Sequence, residues 1–223
     1  MNTNTNTKVA LAFTAVLVLI VVVFVGVVLI QSQSRPVATP DPVTGLAPSF
    51  TEESHRLTDP EGSTITFVEF LDFECEACGA VFPYVEELRA EYGDRVTFIM
   101  RYFPLPSHFN AENAALAVEA AARQGRLEDM YVRMFETQGE WGEKQESEAP
   151  RFRTYAEELG LDLEQFDADV ADPDVLARVM SDLKDGRALG IDGTPAIFVN
   201  DVRIELSSID DIRTAVESAL KNE

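Results

Sequence analysis

The chain has 223 residues, 18 lysines and arginines against 39 aspartates and glutamates, and two cysteines. Its length fits one large domain or a domain with an insertion, and a hydrophobic fraction of 46% is enough to bury a core. The formal charge of −21 argues against a nucleic-acid partner, because phosphate binding needs a basic surface. Two cysteines cannot build a disulfide-rich scaffold, and they cannot supply the four ligands of a structural zinc site within one chain.

The N-terminal part of the sequence predicts a membrane anchor. Val9 to Ile30 is an apolar run of 22 residues that carries no charge and is interrupted only by Thr14 and Gly26. A helix of this length measures about 33 Å and can cross the roughly 30 Å hydrocarbon core of a bilayer. We expect an uncleaved transmembrane helix, because the apolar stretch of a signal peptide is shorter. A long signal cleaved after Ser34 is the alternative.

These features predict how the chain is organised. Four prolines between the apolar run and residue 49 indicate a semi-extended linker. A short tail inside the cell and a large domain outside it form the expected topology for a single N-terminal anchor. We therefore expect a cytoplasmic tail, a transmembrane helix, a proline-rich linker and an extracytoplasmic domain at residues 1–8, 9–30, 31–49 and 50–223.

Hydrophobic spacing within residues 50–223 predicts an α/β order of elements. A first strand, a helix and a second strand are predicted at residues 64–73, 78–92 and 96–103. Apolar residues at helical spacing then predict four consecutive helices, at 110–125, 127–135, 152–159 and 172–189. Two strands and a last helix follow at 195–200, 202–206 and 208–221. The order describes a small α/β sheet with an all-helical insertion at about 106–190.

The two cysteines, Cys75 and Cys78, lie where the first strand meets the first helix. Free N–H groups and the positive end of the helix dipole stabilise a thiolate at the first cysteine. The second cysteine lies about one turn further on, within reach for a disulfide, and can resolve a mixed disulfide formed at the first. This context predicts a redox pair. A structural disulfide and a metal site shared between two chains are the alternatives.

Two further features support the redox interpretation. Thr194 and Pro195 follow Gly193 immediately before an apolar strand, as a cis-proline turn would. Glu69 lies six residues before Cys75 on the first strand, where a half-buried carboxylate can take or give the proton of the resolving cysteine. The alternative for Glu69 is an ordinary strand residue that faces water.

The chain resembles the DsbA-like branch of the thioredoxin superfamily in two motifs, FLDFECEACG at residues 70–79 and GTPA at 193–196. The resemblance covers about residues 50–223 and implies a thioredoxin fold with an inserted all-helical domain. It implies that Cys75 is the nucleophile, Cys78 the resolving thiol, Pro195 the cis-proline beside the disulfide and Glu69 the buried carboxylate. We include Thr194, which precedes the proline, in the predicted site.

A third segment is also similar to one that is common in this branch. It consists of Phe103-Pro104-Leu105, with His108 soon after. A histidine in this position is more typical of a loop or of a helix cap than of a catalytic group. We therefore interpret His108 as a loop or capping residue and give it no role in the predicted site.

The residues between the cysteines depart from the family pattern. Strongly oxidising members carry Pro and His there, whereas this chain has Glu76 and Ala77. A histidine can donate to the thiolate, and Ala77 cannot. Glu74 and Glu76 add like charges, each of which costs about 1 kcal/mol at about 7 Å and an effective dielectric of about 40. We therefore predict a higher Cys75 pKa than in those oxidants, and a more reducing couple.

The sequence thus predicts a membrane-anchored, extracytoplasmic thiol–disulfide oxidoreductase that introduces disulfides into exported proteins. The expected partners are cysteine-containing exported proteins, a quinone-linked membrane partner that recycles the disulfide, and the lipid bilayer around the anchor. No metal or organic cofactor is expected. The alternatives are a reductase or isomerase of the same fold and a non-catalytic, tethered thioredoxin-like binding module.

Overall fold

The computed structural model describes residues 48–222. The predicted tail, the transmembrane helix and nearly all of the linker lie outside the described residues. Within the part that is described, no helix is long and apolar enough to cross a membrane. The strands of this part are β1 (His55–Arg56), β2 (Ile65–Leu71), β3 (Val96–Tyr102), β4 (Ala196–Val199) and β5 (Val202–Arg203).

Residues 48–222 also form eight helices. The first follows β2, the next six lie between β3 and β4, and the last follows β5. They are α1 (Glu76–Tyr92), α2 (Ala111–Arg123), α3 (Leu127–Glu136), α4 (Gln138–Trp141), α5 (Ala149–Glu158), α6 (Leu163–Val170), α7 (Pro173–Ala188) and α8 (Asp210–Lys221).

The strands make one mixed sheet in the order β1-β3-β2-β4-β5. The central strand β2 runs parallel to β3 and antiparallel to β4. Side chains alternate between the two faces of a strand. Ile65 and Phe67 pack against α1 and α8, whereas Val68 and Phe70 pack on the other face with residues of α7. Because helices cover both faces, β2 is apolar on both of them.

The helices between β3 and β4 pack around α2. This helix contacts α3, α5, α6 and α7. Its sequence is rich in alanine, and its small buried side chains let neighbouring helices approach closely. Larger side chains, among them Met130, Trp141 and Phe152, complete the core of this region. The same core includes both cysteines, so the turn that carries them packs directly against the helical insertion.

The α/β sheet with helices inserted before β4 confirms the predicted fold class. The predicted order of elements is wrong in detail, because it contains four of the six inserted helices and lacks β1. The missing β1 and α4 have two and four residues, too few to show a hydrophobic period. The missing α6 is short as well. The strand predicted at 202–206 ends at Arg203.

Candidate active site

The candidate site lies in the turn that joins β2 to α1. Asp72 shapes this turn, since its backbone carbonyl accepts a hydrogen bond from the N–H of Cys75 at 3.1 Å. Its carboxyl group accepts another from the N–H of Glu74 at 2.8 Å. Cys75 has extended backbone angles, φ −68° and ψ 119°, and is the N-cap residue of α1. Its sulfur therefore lies beside the free N–H groups of the first helical turn.

Cys75 is the more accessible of the two thiols. Its exposed fraction is 8%, against 0% for Cys78, and the two are not linked by a disulfide in this structure. The pKa of Cys75 is lowered to about 6, mainly because the Cys78 thiol donates a hydrogen bond to its sulfur. Burial acts in the opposite direction. Hydrogen bonds from Thr194 and from the N–H groups of Cys78 and Ala77 lower the pKa further. At pH 7 Cys75 is therefore mostly thiolate, the reactive form.

Cys78 is the buried, protonated member of the pair. Burial raises its pKa well above the ordinary value, and its hydrogen bond to Cys75 and the charges of Glu69 and Cys75 raise it further. The pair is asymmetric as a result, with a slightly exposed thiolate at Cys75 and a fully buried thiol at Cys78. This asymmetry gives one sulfur the properties of a nucleophile and the other those of a resolving thiol.

Strand β4 brings Thr194 and Pro195 to the same edge of the sheet. Ala196, the first residue of β4, pairs with Phe70 of the antiparallel β2, so the residues before β4 face those after β2. The Thr194–Pro195 peptide bond is cis, and the carbonyl oxygen of Thr194 lies 3.4 Å from the sulfur of Cys75. The Thr194 hydroxyl is buried and has no hydrogen-bond partner in the described part of the chain, so it is free to donate to the Cys75 thiolate, and this interaction lowers the pKa of Cys75.

Glu69 is a buried carboxyl group on the face of β2 that is turned towards α1. Its exposed fraction is 4%, so the alternative that it faces water is wrong. Burial raises its pKa to about 8, and the negative charges of Glu86 on α1 and of Cys75 act in the same direction. The charge of Glu69 in turn raises the pKa of Cys78. At neutral pH Glu69 is mostly protonated and can exchange a proton with this thiol.

The two glutamates that flank Cys75 do not act on it as predicted. The Glu74 side chain is buried, and its carboxyl group accepts a hydrogen bond of 2.5 Å from the N–H of Asn110 at the start of α2. Glu76 is exposed, so water and salt screen its charge. The main causes of the Cys75 pKa include neither glutamate. The pKa of about 6 still lies above the value of about 3.5 in strongly oxidising DsbA.

Gln138 is a residue of this site that the sequence did not reveal. Its side-chain N–H₂ donates to the carbonyl oxygens of Phe73 and Cys75, at 2.7 Å and 2.8 Å. Its side-chain oxygen lies so close to Gly79 that a Cβ there would be 2.0 Å away. A single glutamine carries no sequence signal for such a role, because only the packing of α4 against the turn brings it there.

His108 also contacts the active-site turn, although its sequence suggested only a loop or capping residue. It does lie in the loop after β3, but its Nδ1 is 2.7 Å from the Asp72 carboxyl group. The same carboxyl oxygen accepts a hydrogen bond of 2.8 Å from the N–H of Leu105. Asp72 and His108 both belong to segments that carry the family resemblance, and the sequence offered no other signal that they are in contact.

Comparison with known proteins gives sequence relatives of an unexpected kind. The chain is 38% identical over 174 residues to Na⁺/H⁺ antiporter NhaA 1 of Mycolicibacterium gilvum, which covers 75% of this chain but 27% of the antiporter. It is 36% identical over 159 residues to the antiporter NhaA of Herminiimonas arsenicoxydans, covering 71% of this chain and 24% of that protein. The chain thus spans about a quarter of the length of these relatives.

Solved structures with the same fold include two that are oxidoreductases by name. A thioredoxin-like oxidoreductase from Silicibacter pomeroyi has a TM-score of 0.65 and 27% identity, covering 77% of this chain and 94% of that one. BdbD from Bacillus subtilis has a TM-score of 0.65 and 22% identity, with coverage of 79% and 97%. DsbA from Xylella fastidiosa gives 0.61 and 19%, with coverage of 74% and 90%. A family model described as thioredoxin matches residues 53–218, and the chain therefore belongs to the thioredoxin family, with a DsbA-like arrangement of its fold.

Proposed function

We propose that this chain is a thiol–disulfide oxidoreductase that uses the Cys75–Cys78 pair to introduce disulfides into exported proteins. The observation that carries the proposal is the asymmetry of the pair. The accessible Cys75 has its pKa lowered to about 6, and the fully buried Cys78 has its pKa raised. This difference suits a nucleophile and a resolving thiol, and a structural disulfide does not need it.

The proposed reaction transfers two electrons from the substrate to the pair. A substrate thiolate attacks the Cys75 sulfur of the disulfide, so that a mixed disulfide forms and the bond to Cys78 breaks. Cys78 leaves as a thiolate and takes a proton, for which the protonated Glu69 is the nearby donor. A second substrate thiolate then attacks the substrate sulfur of the mixed disulfide. The substrate leaves oxidised, and Cys75 leaves as a stabilised thiolate.

The direction of electron flow has a second candidate. The Cys75 pKa of about 6 lies between the values of about 3.5 in DsbA and about 7 in thioredoxin. A less stabilised Cys75 thiolate makes the reduced pair less favourable, so the disulfide is a weaker oxidant of substrate thiols. This supports a reductase or isomerase as the alternative. Trapping the thiols of intact cells with a maleimide separates the two. A mostly oxidised pair supports the oxidase, and a mostly reduced pair supports the alternative.

We further propose that residues 9–30 anchor the domain at the outer side of the cell membrane. The support is the length and apolar character of this segment, together with a substrate class that needs an oxidising compartment. The proposed partners are exported proteins that contain cysteines and a quinone-linked membrane protein that reoxidises the pair. Protease treatment of spheroplasts tests the topology, since an extracytoplasmic domain is digested and a cytoplasmic one is protected.

Single-cysteine variants of the full chain in detergent test the oxidoreductase proposal. The oxidised wild-type protein should convert a reduced dithiol peptide to its disulfide. Cys75→Ser should lose this activity by at least about a thousandfold, because no accessible sulfur is left for attack. Cys78→Ser should instead accumulate a mixed disulfide between Cys75 and the peptide, which is visible by mass spectrometry.

Two outcomes would count against the proposal. The first is oxidation of the peptide by Cys75→Ser at the rate of the wild type, and the second is the absence of an adduct in folded Cys78→Ser. Rescue of function in cells by Cys75→Ser would support the non-catalytic binding module. Circular dichroism of each variant shows whether a loss of activity comes from a loss of structure.

A further inference from the structure

The residues next to Cys75 in the sequence include no positively charged side chain that could stabilise its thiolate. Positions 76 and 77 hold glutamate and alanine, so no positive side chain lies between the cysteines. The chain has only two histidines, His55 and His108. Of these, His55 bonds to Glu119, with Nε2 at 2.5 Å from the carboxyl group, whereas His108 is bound to the active-site turn.

Two hydrogen bonds connect His108 to Cys75 through Asp72. His108 Nδ1 lies 2.7 Å from one oxygen of the Asp72 side chain, and the Asp72 carbonyl accepts from the N–H of Cys75. Asp72 is 1% exposed, so it holds the imidazole in one place. It also contacts the second cysteine, since its backbone N–H donates to the sulfur of Cys78. One buried residue therefore fixes the histidine relative to both sulfurs.

We propose that the His108 imidazolium, positioned by Asp72, supplies from outside the Cys-Glu-Ala-Cys segment the positive charge that stabilises the Cys75 thiolate. Asp72 is then a positioning residue, and His108 acts on the sulfur through space. The proposal concerns the same site as the proposed oxidoreductase function and rests on it for its biological meaning. The charge of His108 adds to the hydrogen bonds of Cys78, Thr194 and the helix N–H groups, which are the main causes of the lowered Cys75 pKa.

The charged groups around His108 support this assignment. Burial lowers the pKa of His108, but the hydrogen bond and charge of Asp72 and the charges of Cys75 and Glu74 outweigh it, so that the pKa is raised. The effect of the Cys75 thiolate on His108 is reciprocal, because an interaction that favours the protonated histidine favours the thiolate equally. The imidazolium therefore persists to a higher pH than in a free histidine.

A structural role alone accounts less well for the contact. The Asp72 carboxyl group already accepts hydrogen bonds from the N–H groups of Glu74 and Leu105, one on each oxygen. The turn is therefore held without the histidine. What the imidazolium adds is a positive charge, which the backbone hydrogen bonds of the turn do not supply.

Charge variants at position 108 test the proposal in the full-length reduced protein. The probe is iodoacetamide, whose rate of reaction with Cys75 is followed against pH. His108→Gln should raise the Cys75 pKa by about one unit, which is about tenfold in the thiolate equilibrium, as expected for one charge at close range. His108→Lys, which keeps the charge, should leave the pKa within about 0.3 unit of the wild type. The control His55→Gln should leave it unchanged.

Proton NMR provides a second test that needs no change at position 108. The imidazole C2–H resonances give the pKa of each histidine in the reduced wild type and in Cys75→Ser. The pKa of His108 should fall by about one unit in Cys75→Ser, since the interaction is reciprocal, while that of His55 stays the same. His55→Gln assigns the two signals.

The results that overturn the proposal are specific. They are an unchanged Cys75 pKa in folded His108→Gln, an equal rise in His108→Lys and His108→Gln, or a His108 pKa that does not respond to the loss of the thiolate. All these measurements give the pKa of Cys75 or of His108, and none of them depends on catalytic turnover. A protein that fails to oxidise the peptide can still pass them, so failure of the proposed function and failure of this inference are distinguishable.

Discussion

Two of the contacts that join the helical insertion to the sheet have opposite character. One joins β3 to α7 through buried charges, with Arg101 and Asp182 each 1% exposed. The other joins the active-site turn to α4 through the uncharged amide of Gln138. Both contacts hold a helix of the insertion against the end of a strand, but only the second lies beside groups that must gain and lose protons.

The charged contact is well satisfied. Arg101 donates from Nε and Nη2 to one oxygen of Asp182, at 2.8 Å and 2.6 Å, and the backbone N–H of Tyr102 donates to the other at 3.1 Å. Arg178 and Asp185 extend the network. Full pairing of this kind offsets the cost of removing charges from water.

The active site shows the opposite arrangement. Glu69, Cys75 and Cys78 are also buried, but the charges that act on Glu69, those of Glu86 and Cys75, are negative, so neither of them pairs with it. The pKa values of the three buried groups are displaced from the ordinary ones in consequence. Buried charges that are paired therefore make a rigid attachment, whereas buried titratable groups that are left unpaired can react near neutral pH.

Removal of Asp182 should have the largest effect on stability. Asp182→Ala leaves Arg101 and Arg178 without their shared partner in a buried place, at a cost of about 3–5 kcal/mol in the free energy of unfolding. Denaturation in urea measures this loss. The Cys75 pKa, measured by alkylation in the folded variant, should not change, because the network makes none of the contacts that set it.

The exposed pair of Arg153 and Asp167 is the matched control. Its side chains are 45% and 48% exposed, with 2.8 Å between Arg153 Nε and the carboxyl group. Asp167→Ala should cost less than about 1 kcal/mol, since solvent weakens the attraction. Equal losses in Asp167→Ala and Asp182→Ala would contradict the role given to burial.

Glu69→Gln should stabilise the reduced protein, because it removes a buried carboxyl group that has no positive partner among the described residues. The pKa of Glu69 is about 8 when folded and 4.5 as a model value, so the folded state holds a proton that the unfolded state has lost between these pH values. Stability therefore falls as the pH rises from about 4.5 to 8. Glutamine removes this penalty, with a gain of up to about 3 kcal/mol at pH 7 and none below pH 4.5.

Glu119→Gln is the matched control with the opposite sign. Burial raises the pKa of Glu119, but the hydrogen bond and charge of His55, with Arg178, outweigh it and lower the pKa. Its stabilising effect is therefore present above the ordinary pKa and is lost as the pH falls through the lowered one. Glu119→Gln should destabilise the protein at pH 7. Unfolding curves that shift in the same direction for both variants would refute the distinction between paired and unpaired carboxyls.

The sequence was sufficient for the parts of the molecule that depend on local pattern. Apolar runs located β2 and β3, and the position of Cys75 between a strand and a helix placed it at a helix N-terminus. Contacts between distant segments were not available in this way. Glu74 lies beside Cys75 in sequence, yet its carboxyl group binds the N–H of Asn110, 36 residues further on. Distance along the chain was therefore a poor measure of its effect on the thiolate.

Loss of the uncharged contact at Gln138 should have a smaller effect on the free energy of unfolding than the variants of buried carboxyl groups above. Gly79→Ala places a Cβ 2.0 Å from the Gln138 side-chain oxygen, so the amide must move and its bonds to Phe73 and Cys75 are lost. Two hydrogen bonds contribute about 0.5–1.5 kcal/mol each, and the better helix propensity of alanine returns up to about 1 kcal/mol. We expect a net loss of about 1 kcal/mol in urea denaturation.

The control separates the clash from the helix propensity. Gly139→Ala changes a glycine in α4 with open space around its Cα, so alanine there should be neutral or stabilising. In a Gln138→Ala background the obstacle to a side chain at position 79 is gone, and Gly79→Ala should become stabilising as well. A coupling of about 1–2 kcal/mol between the two substitutions follows, because each removes the same two hydrogen bonds. Strict additivity would show that Gln138 does not hold the turn.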